Sequence, residues 1–535
     1  MNRISSRHIY WLIGVGLLLG ISVFGTPDAR AQDANAASVA ELQQRLQDLE
    51  AVVRQMKDRD PNAALTQPVS VASAVPAAPA APPVNADGSQ FAPAAPNAAV
   101  GNPAGGNLGT STDKNFSGWN NGFFLESPDR SCQLRITGQI QGDYRGFLDT
   151  VDSSPSNSAT AGSTGSPDSF LIRRARLGIE ATMYNYYEFR LLPDFAGTTP
   201  AKSITDAYMN VHYWDQFQFE IGKFKQPFSY EDLIQDRYVP TMERSMMDQL
   251  VPQRDEGAMI HGEKLFDGRF DYAFAVSNGN PNDTGIDDNN DKDLNARIVV
   301  RPFFSDACGI LGGLRLGIAG SIGVENDTIS STSSTPPTIT TPATVTWFAY
   351  NSGVVANGVR HRVSPELVYF YGSFGFASQY YHQDQNLQAS STKPIVNVGI
   401  DGYYVMATYL LTGEERTGYS QQIEPLRSFD PCAPIASPGA WELVFRVDQL
   451  EVGQPAFKNG LANNSPLPST STANNDRSSN EAFEMTVGLN WYLNKWARTQ
   501  LNWEHANFAS PVQMGNMKRA LTEEDALYTR FQVIF

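Results

Sequence analysis

From Ala526 to Phe535 apolar and polar side chains alternate: Leu527, Thr529, Phe531, Val533 and Phe535 fall on one face, Tyr528, Arg530 and Gln532 on the other. A two-residue period is that of a β-strand standing between unlike solvents. The segment from Glu481 to Phe508 repeats it twice around a tight turn at Asn494 and Lys495. Phe483, Met485, Val487, Leu489 and Trp491 share a face, as do Thr499, Leu501 and Trp503, while Glu484, Thr486, Asn490, Arg498, Gln500, Asn502 and Glu504 point the other way. Such strands are long enough for the roughly 9 to 11 tilted residues that cross a bilayer, and their aromatics sit near the ends, where interfacial girdles form. One strand of this kind also fits a soluble sandwich; their number favours a membrane barrel. The charge on the inward faces predicts a water-filled lumen rather than a packed core.

The same alternation runs through most of the chain. A first strand up to Phe147 places Leu134, Ile136 and Ile140 outward against Arg135, Thr137, Gln139, Gln141 and Asp143. A second, from Phe170, places Leu171, Ala175, Leu177 and Ile179 outward against Arg174, Arg176 and Glu180. Further strands are predicted at 187–194, 206–213, 217–221, 257–264, 269–277, 293–302, 314–323, 360–371, 374–383, 396–411, 441–450, 482–493, 497–508 and 526–535. The total is about sixteen, an even number as single-chain bacterial barrels require. With both ends in the periplasm, tight turns at Trp214-Asp215, Gly372 and Asn494-Lys495 fall on that side and most long loops on the other. The stretch 412–440 is long for a periplasmic turn.

Ahead of the barrel the pattern changes twice. Arg3 and Arg7 precede an apolar run from Ile9 to Phe24, and Ala29-Arg30-Ala31 offers a signal-peptidase site, so residues 1–31 read as a secretory signal. An uncleaved anchor is the alternative, but the run is short against a helical span of roughly 20 residues. Within 32–60, Val39, Leu42, Leu46, Leu49, Val53 and Met56 follow the three-four spacing of a coiled coil. It suits a trimer stalk, or a lone amphipathic helix lying on something else. Residues 61–115, rich in Ala, Pro, Gly and Asn, cannot bury a core and read as a linker. The barrel domain is then 116–535.

Composition narrows the class. A mean hydropathy of -0.32 and no second long apolar run leave strands as the only further means of crossing a membrane. A formal charge of -16 argues against nucleic acid as a partner. Cys132, Cys308 and Cys432 allow at most one disulfide and have no metal-binding spacing. No nucleophile, zinc or cofactor motif is present, and no catalytic residue is expected. Asp287, Asn289 and Asp291 offer alternating oxygens, but Lys292 stands where a calcium loop needs glycine, so a solvated loop is the better reading.

The runs SFLIRRARLGIEATMYNYYEFRLLPDFAG, DAYMNVHYWDQFQFEIGKFKQPFSYE, MERSMMDQLVPQRDEGAMIHG, NARIVVRPF and GLNWYLNKWARTQLNWEHANF, closing on RFQVIF, resemble the phosphate-selective porin O and P family in order and over most of 116–535. The resemblance implies a 16-stranded outer-membrane channel, usually trimeric, for passive uptake of small anions such as phosphate or polyphosphate. Its partners would be outer-membrane lipid, two further copies, and the barrel-assembly machinery through the C-terminal Phe535; in an envelope-tethering reading the N-terminal segment would reach the cell wall.

In such a barrel one loop narrows the lumen, and the stretch Phe228 to Glu256 is the candidate. Lys223, Lys225, Arg237, Arg244 and Arg254 are the anion-binding candidates there, among Glu231, Asp232, Asp236, Glu243, Asp248, Asp255 and Glu256. Inward parity also predicts an arginine ladder of Arg135, Arg174, Arg176, Arg190, Arg297, Arg301 and Arg315, with Arg145, Arg446, Arg498 and Arg530. Glu180, Glu188, Asp194, Glu442, Glu484 and Glu504 face them, so cross-strand ion pairing competes with anion binding. The alternatives are a general or weakly cation-selective porin, an envelope-tethering barrel, and an outer-membrane hydrolase using paired carboxylates.

If Leu42, Leu46 and Leu49 form a coiled-coil seam, a peptide of residues 32–60 self-associates at high concentration, and replacing all three by Asp abolishes this. Sedimentation equilibrium decides it, and a monomeric parent peptide would remove the stalk.

Overall fold

The computed structural model describes residues 116–119, 122–148, 168–196, 204–279, 290–304, 306–326, 336–390, 392–464, 477–513 and 520–535. The signal, coiled-coil and linker expectations for 1–115 lie outside the described residues. Two short strands, β1 (Ser117–Trp119) and β2 (Phe123–Glu126), form an N-terminal hairpin. Then follow β3 (Cys132–Phe147), β4 (Ser169–Met183), β5 (Tyr187–Pro193), β6 (Ile204–Trp214), β7 (Phe217–Lys225), β8 (Arg254–Lys264), β9 (Phe270–Ser277), β10 (Asp293–Val300) and β11 (Leu314–Asn326). A small hairpin, β12 (Ile339–Thr340) and β13 (Thr346–Phe348), stands apart. The series closes with β14 (Val355–Tyr371), β15 (Phe374–Gln388), β16 (Ile395–Leu410), β17 (Ala440–Val452), β18 (Glu481–Tyr492), β19 (Ala497–Val512) and β20 (Leu521–Ile534).

Sixteen of these, β3 to β11 and β14 to β20, pair antiparallel with their sequence neighbours, and β20 returns to β3. Closure leaves no unpaired edge, which is what lipid, offering no hydrogen bonds, requires. Ile298, Ile318, Leu443, Phe445, Leu501 and Phe531 form an outward apolar band. Aromatics gather at the end with the short turns: Trp441 stacks on Trp491 at 5.0 Å, Trp119 meets Trp496 at 5.5 Å, and Tyr186 stacks on Tyr213 at 4.6 Å. The connection from β16 to β17 is indeed long, residues 411–439, and stays at this end.

The seam between the first and last strands is held three ways. Ala526 to Ile534 pair with Phe147 to Gln139, and Phe535 exchanges both backbone bonds with Gly138, at 2.7 and 3.0 Å. Arg530 on β20 grips Asp143 on β3 with two bonds of 2.7 Å, both side chains buried. Where β20 ends, β2 continues the pairing along Gln133 to Ile136 of β3. Gly138 leaves the room that the Phe535 ring fills: a Cβ at this position would collide with the ring.

Two sequence expectations are corrected here. In β4 it is Phe170 and Ile172 that are exposed outward, not Leu171, because Arg173 is an extra residue between the pairs Gln141–Arg174 and Gly142–Ile172. A bulge of this kind flips the parity of everything beyond it. The lumen is also not uniformly wet. A packed apolar cluster occupies it against β14 to β20, built by loop residues that strand parity cannot reveal. Cys132 and Cys432 are free among the described residues.

Two tests follow from the closed barrel. In detergent the protein should be mainly strand by circular dichroism and run faster on a gel unheated than boiled. Gly138→Val, which displaces the Phe535 ring, should lower the temperature of that mobility shift, while Ile140→Val on the lipid face should leave it within a few degrees.

Candidate functional site

The loop 226–253, between β7 and β8, folds into the barrel and lodges against its far wall. It starts with a one-turn helix, α1 (Tyr230–Leu233), whose N-cap Ser229 accepts from the Asp232 amide at 3.2 Å and donates to Gln379 of β15 at 3.2 Å. The Arg237 carbonyl then accepts from Gln532 of β20 at 3.0 Å. The Pro240 carbonyl accepts from Asn490 and Gln500 of β18 and β19, at 2.8 and 3.0 Å. The Met246 amide donates to Asp448 of β17 at 3.1 Å. Buried main-chain groups need such partners, and the inward amides and carboxylates of the wall supply them.

Two carboxylates hold the loop in place. Glu243 meets Arg145 and Arg173 at 2.8 Å and Arg530 at 2.9 Å. Asp236 meets Arg244 at 2.7 Å, Arg174 at 3.4 Å and Arg254 at 3.9 Å, and is closely paired with Arg176. Burial pushes both acids up, but the arginines outweigh it: Arg173, Arg530 and Arg174 hold Glu243 well below the ordinary carboxylate range, and Arg174, Arg244 and Arg176 do the same for Asp236. Depressed carboxyls stabilise the folded form above their unfolded pKa. The clamp is therefore intact from neutral pH down to the ordinary carboxylate range and is lost as pH falls through the depressed values.

A second inward segment, 336–354 with β12 and β13, thickens this filling. Trp347 and Phe348 are fully buried among Phe228, Met246, Met247 and Leu250 of the loop and Tyr381 and Tyr404 of the wall. Gln249 ties the two segments together through Thr340, accepting from its amide at 3.1 Å and donating to its carbonyl at 2.7 Å.

What stays open lies between the loop and the opposite wall. A space of about 740 Å³, open to solvent, is lined by Arg176, Arg190, Lys225, Arg237 and Arg254 against Asp206, Glu220 and Asp236, with Tyr208, Phe224 and Leu192 between them. Five cations face three carboxylates. Most are mutually engaged: Arg190 with Asp206 at 3.1 Å and Glu180 at 3.2 Å, Arg254 with Asp206 at 2.7 Å, and Arg176 with Asp194 at 2.8 Å. The Lys225 ammonium donates to the Ile234 carbonyl at 3.0 Å and to that of Asp232. Arg237 differs. Its Nε donates to Gln235 at 2.8 Å and its guanidinium lies 5.4 Å from the Tyr238 ring, with no carboxylate partner among the described residues.

Of the constriction candidates, then, the cavity gathers Lys225, Arg237 and Arg254. Arg244 is turned into the loop, bonded to the carbonyls of Glu231, Asp232 and Ile234. Lys223 is opposite Ala207 and Glu256 in the register, is buried 3.7 Å from Glu256, and does not line the cavity. Of the ladder, Arg176 and Arg190 line the cavity and Arg174 clamps the loop. Arg135 faces Glu180 in the register, Arg297 is bound by Glu366, Arg301 by Asp271 at 2.6 Å, and Arg315 by the Thr417 carbonyl at 2.8 Å. Arg173 escaped sequence reading. Its signal was the Arg173-Arg174 doublet, since strict alternation would have put one arginine in lipid.

A closed barrel with an apolar outer band, a charged interior and one loop narrowing its lumen is an outer-membrane channel. The family model of the phosphate-selective porins O and P matches residues 134–535, and the chain belongs to that family. The sequence matches no curated protein. Solved structures similar to it include OmpT of Vibrio cholerae in its trimer form, at 11% identity over 76% of this chain and 100% of that one, with a TM-score of 0.44. Another is OmpF of Salmonella typhi in complex with daunomycin, at 12% identity over 77% and 100%, TM-score 0.45. OprB of Pseudomonas putida at high pH matches at 9% identity over 75% and 94%, TM-score 0.41.

Glu243→Gln should loosen the loop. Removing one partner of a buried ion pair costs about 3 to 5 kcal/mol, here by leaving guanidinium groups without their carboxylate. The expected outcome is a larger and noisier single-channel conductance in planar bilayers, with Glu256→Gln, partly exposed and outside the clamp, indistinguishable from wild type.

Proposed function

We propose that the channel passes small anions in preference to cations, with phosphate as the family's indicated cargo. The observation that carries this is the charge of the open passage, five cationic side chains against three carboxylates, with Arg237 free of any carboxylate partner among the described residues. The formal charge of -16 belongs to the whole chain. Charges on distant loops are screened beyond a Debye length of roughly 8 to 10 Å, whereas those lining a narrow passage of low dielectric are not. Guanidinium groups suit the task because they hold a planar or tetrahedral oxyanion by forked hydrogen bonds without covalent chemistry. The mutual pairing of Arg176, Arg190 and Arg254 keeps the preference moderate, so the competing reading is a general porin with little selectivity. Assembly as a trimer, insertion guided by Phe535 and wall contact through the N-terminal segment accompany this reading.

Reversal potentials under a potassium chloride gradient test it. Chloride should carry more current than potassium, added phosphate should reduce the chloride current, and Arg237→Glu should bring the permeability ratio to unity or reverse it. Equal permeability in the wild type, with no effect of phosphate, leaves the general porin.

A further inference from the structure

At the turn end of the barrel lies a second, smaller space of about 300 Å³, open to solvent, which shares only Arg237 with the first. It is lined by Arg237, Tyr238, Tyr492, Lys495, Trp496 and Arg498, with Ile423, Gln421 and Gln422 from the loop 411–439 and Gln532 and Ile534 from β20. Three cations line it and no carboxylate does. That contrasts with the arginines gathered around Asp236, Asp206, Asp293 and Glu243, which carboxylates close.

Arg498 is the centre of the argument. It is 4% exposed, so its charge is almost wholly out of bulk water. Its only hydrogen-bonding side-chain neighbours are neutral: its Nη2 donates to Gln532 at 3.3 Å, its guanidinium lies 6.0 Å from the Tyr492 ring, and its Nε is without any partner. The carboxylate behind it, Glu442, is already satisfied by Arg416 at 2.6 Å, Tyr492 at 2.7 Å and Asn490 at 3.0 Å. Gln532 joins the two arginines, accepting from Arg498 while its amide donates to the Arg237 carbonyl at 3.0 Å. Lys495 stands at the rim, its ammonium 4.7 Å from the Trp496 ring. A buried guanidinium with an unused N–H, beside two more cations and with the carboxylate behind it already bonded to three other groups, is electrostatically incomplete without an anion.

We infer that this mouth is a binding site for small organic carboxylates, seated on Arg498 and Arg237 and rimmed by Lys495. The chemistry of the walls selects that class. Tyr238, Tyr492, Trp496 and Ile423 offer apolar and aromatic surface to the body of a ligand, and arginine, less strongly hydrated than an ammonium, holds a planar carboxylate in its fork. A doubly charged phosphate would need more donors than the site supplies once its water is removed. The enclosed part of the space is only about 20 Å³, so the carboxylate head sits on the arginines while the body of a small ligand lies against the open aromatic rim. The inference deepens the anion-channel reading, since it rests on anions reaching this mouth through the lumen, and it names a second cargo class.

Calorimetric titration of the full chain in detergent with sodium benzoate, and separately with inorganic phosphate, tests it. Benzoate should bind more tightly than phosphate. Arg498→Gln should weaken benzoate at least about tenfold, Arg498→Lys less, and Lys495→Gln, on a half-buried turn, about threefold. The heat-dependent gel shift checks that each variant is folded, and Lys495→Gln and Arg498→Lys carry the test if Arg498→Gln is not. Unchanged benzoate affinity in folded Arg498 and Lys495 variants overturns the site, and tighter phosphate binding overturns the ligand class. Reversal potentials on the same preparations separate the two readings: benzoate binding with equal chloride and potassium permeability sinks the selectivity and leaves the site, while anion preference without benzoate binding does the opposite.

Discussion

Two carboxylates on one loop, Asp236 and Glu243, govern the interior of this barrel. Six arginines of the wall, Arg145, Arg173, Arg174, Arg176, Arg254 and Arg530, converge on them, with Arg244 of the loop itself making a seventh. Buried ion pairs are weak evidence of net stability, because desolvation offsets most of the attraction. They are strong determinants of position, since moving either partner leaves a charge buried and alone. The loop is thus fixed not by its apolar residues, which could slide, but by two points whose displacement is costly.

With the loop pinned, the rest of the lumen follows. Its apolar side, Phe228, Met246, Met247 and Leu250, is delivered to the wall of β15 to β17, where the segment 336–354 can add Trp347 and Phe348 and complete a dry core. The larger open space lies toward β3 to β8, and Arg237 lines both spaces. The bulge at Arg173 belongs to the same logic. It turns two successive arginines of β4 inward, one to each carboxylate, which a regular strand cannot do.

The barrel itself was legible in the sequence because lipid and lumen impose a period of two on every strand, and all sixteen strands fall where alternation places them. Strand ends were less legible: β14 begins at Val355 and β20 at Leu521, several residues earlier than the pattern suggests, because pairing continues beyond the bilayer where the apolar signal stops. The site was legible only in part. Parity identified Arg174, Arg176 and Arg190 as inward, but it says nothing about which carboxylate each one meets. Lys223 illustrates the limit: it stands two residues before the cavity-lining Lys225, yet it is buried beside Glu256 and does not line the open space. Loop residues have no period at all, so nothing in 336–354, a stretch of Thr, Pro and small residues around Trp347, announces that it folds inward.

The pairing of most lumenal arginines changes what an arginine ladder can do. A guanidinium closed by carboxylates is a fixed dipole and a structural tie, and its contribution to the potential along the passage is largely cancelled within a few ångströms. On the proposed anion-channel reading, the residual cations are Arg237, which lines both open spaces, and Arg498, each without a carboxylate partner among the described residues. Selectivity in such a channel depends less on how many arginines face inward than on which of them the loop leaves unpaired. A change in the acids of the loop would alter it as effectively as a change in the arginines of the wall.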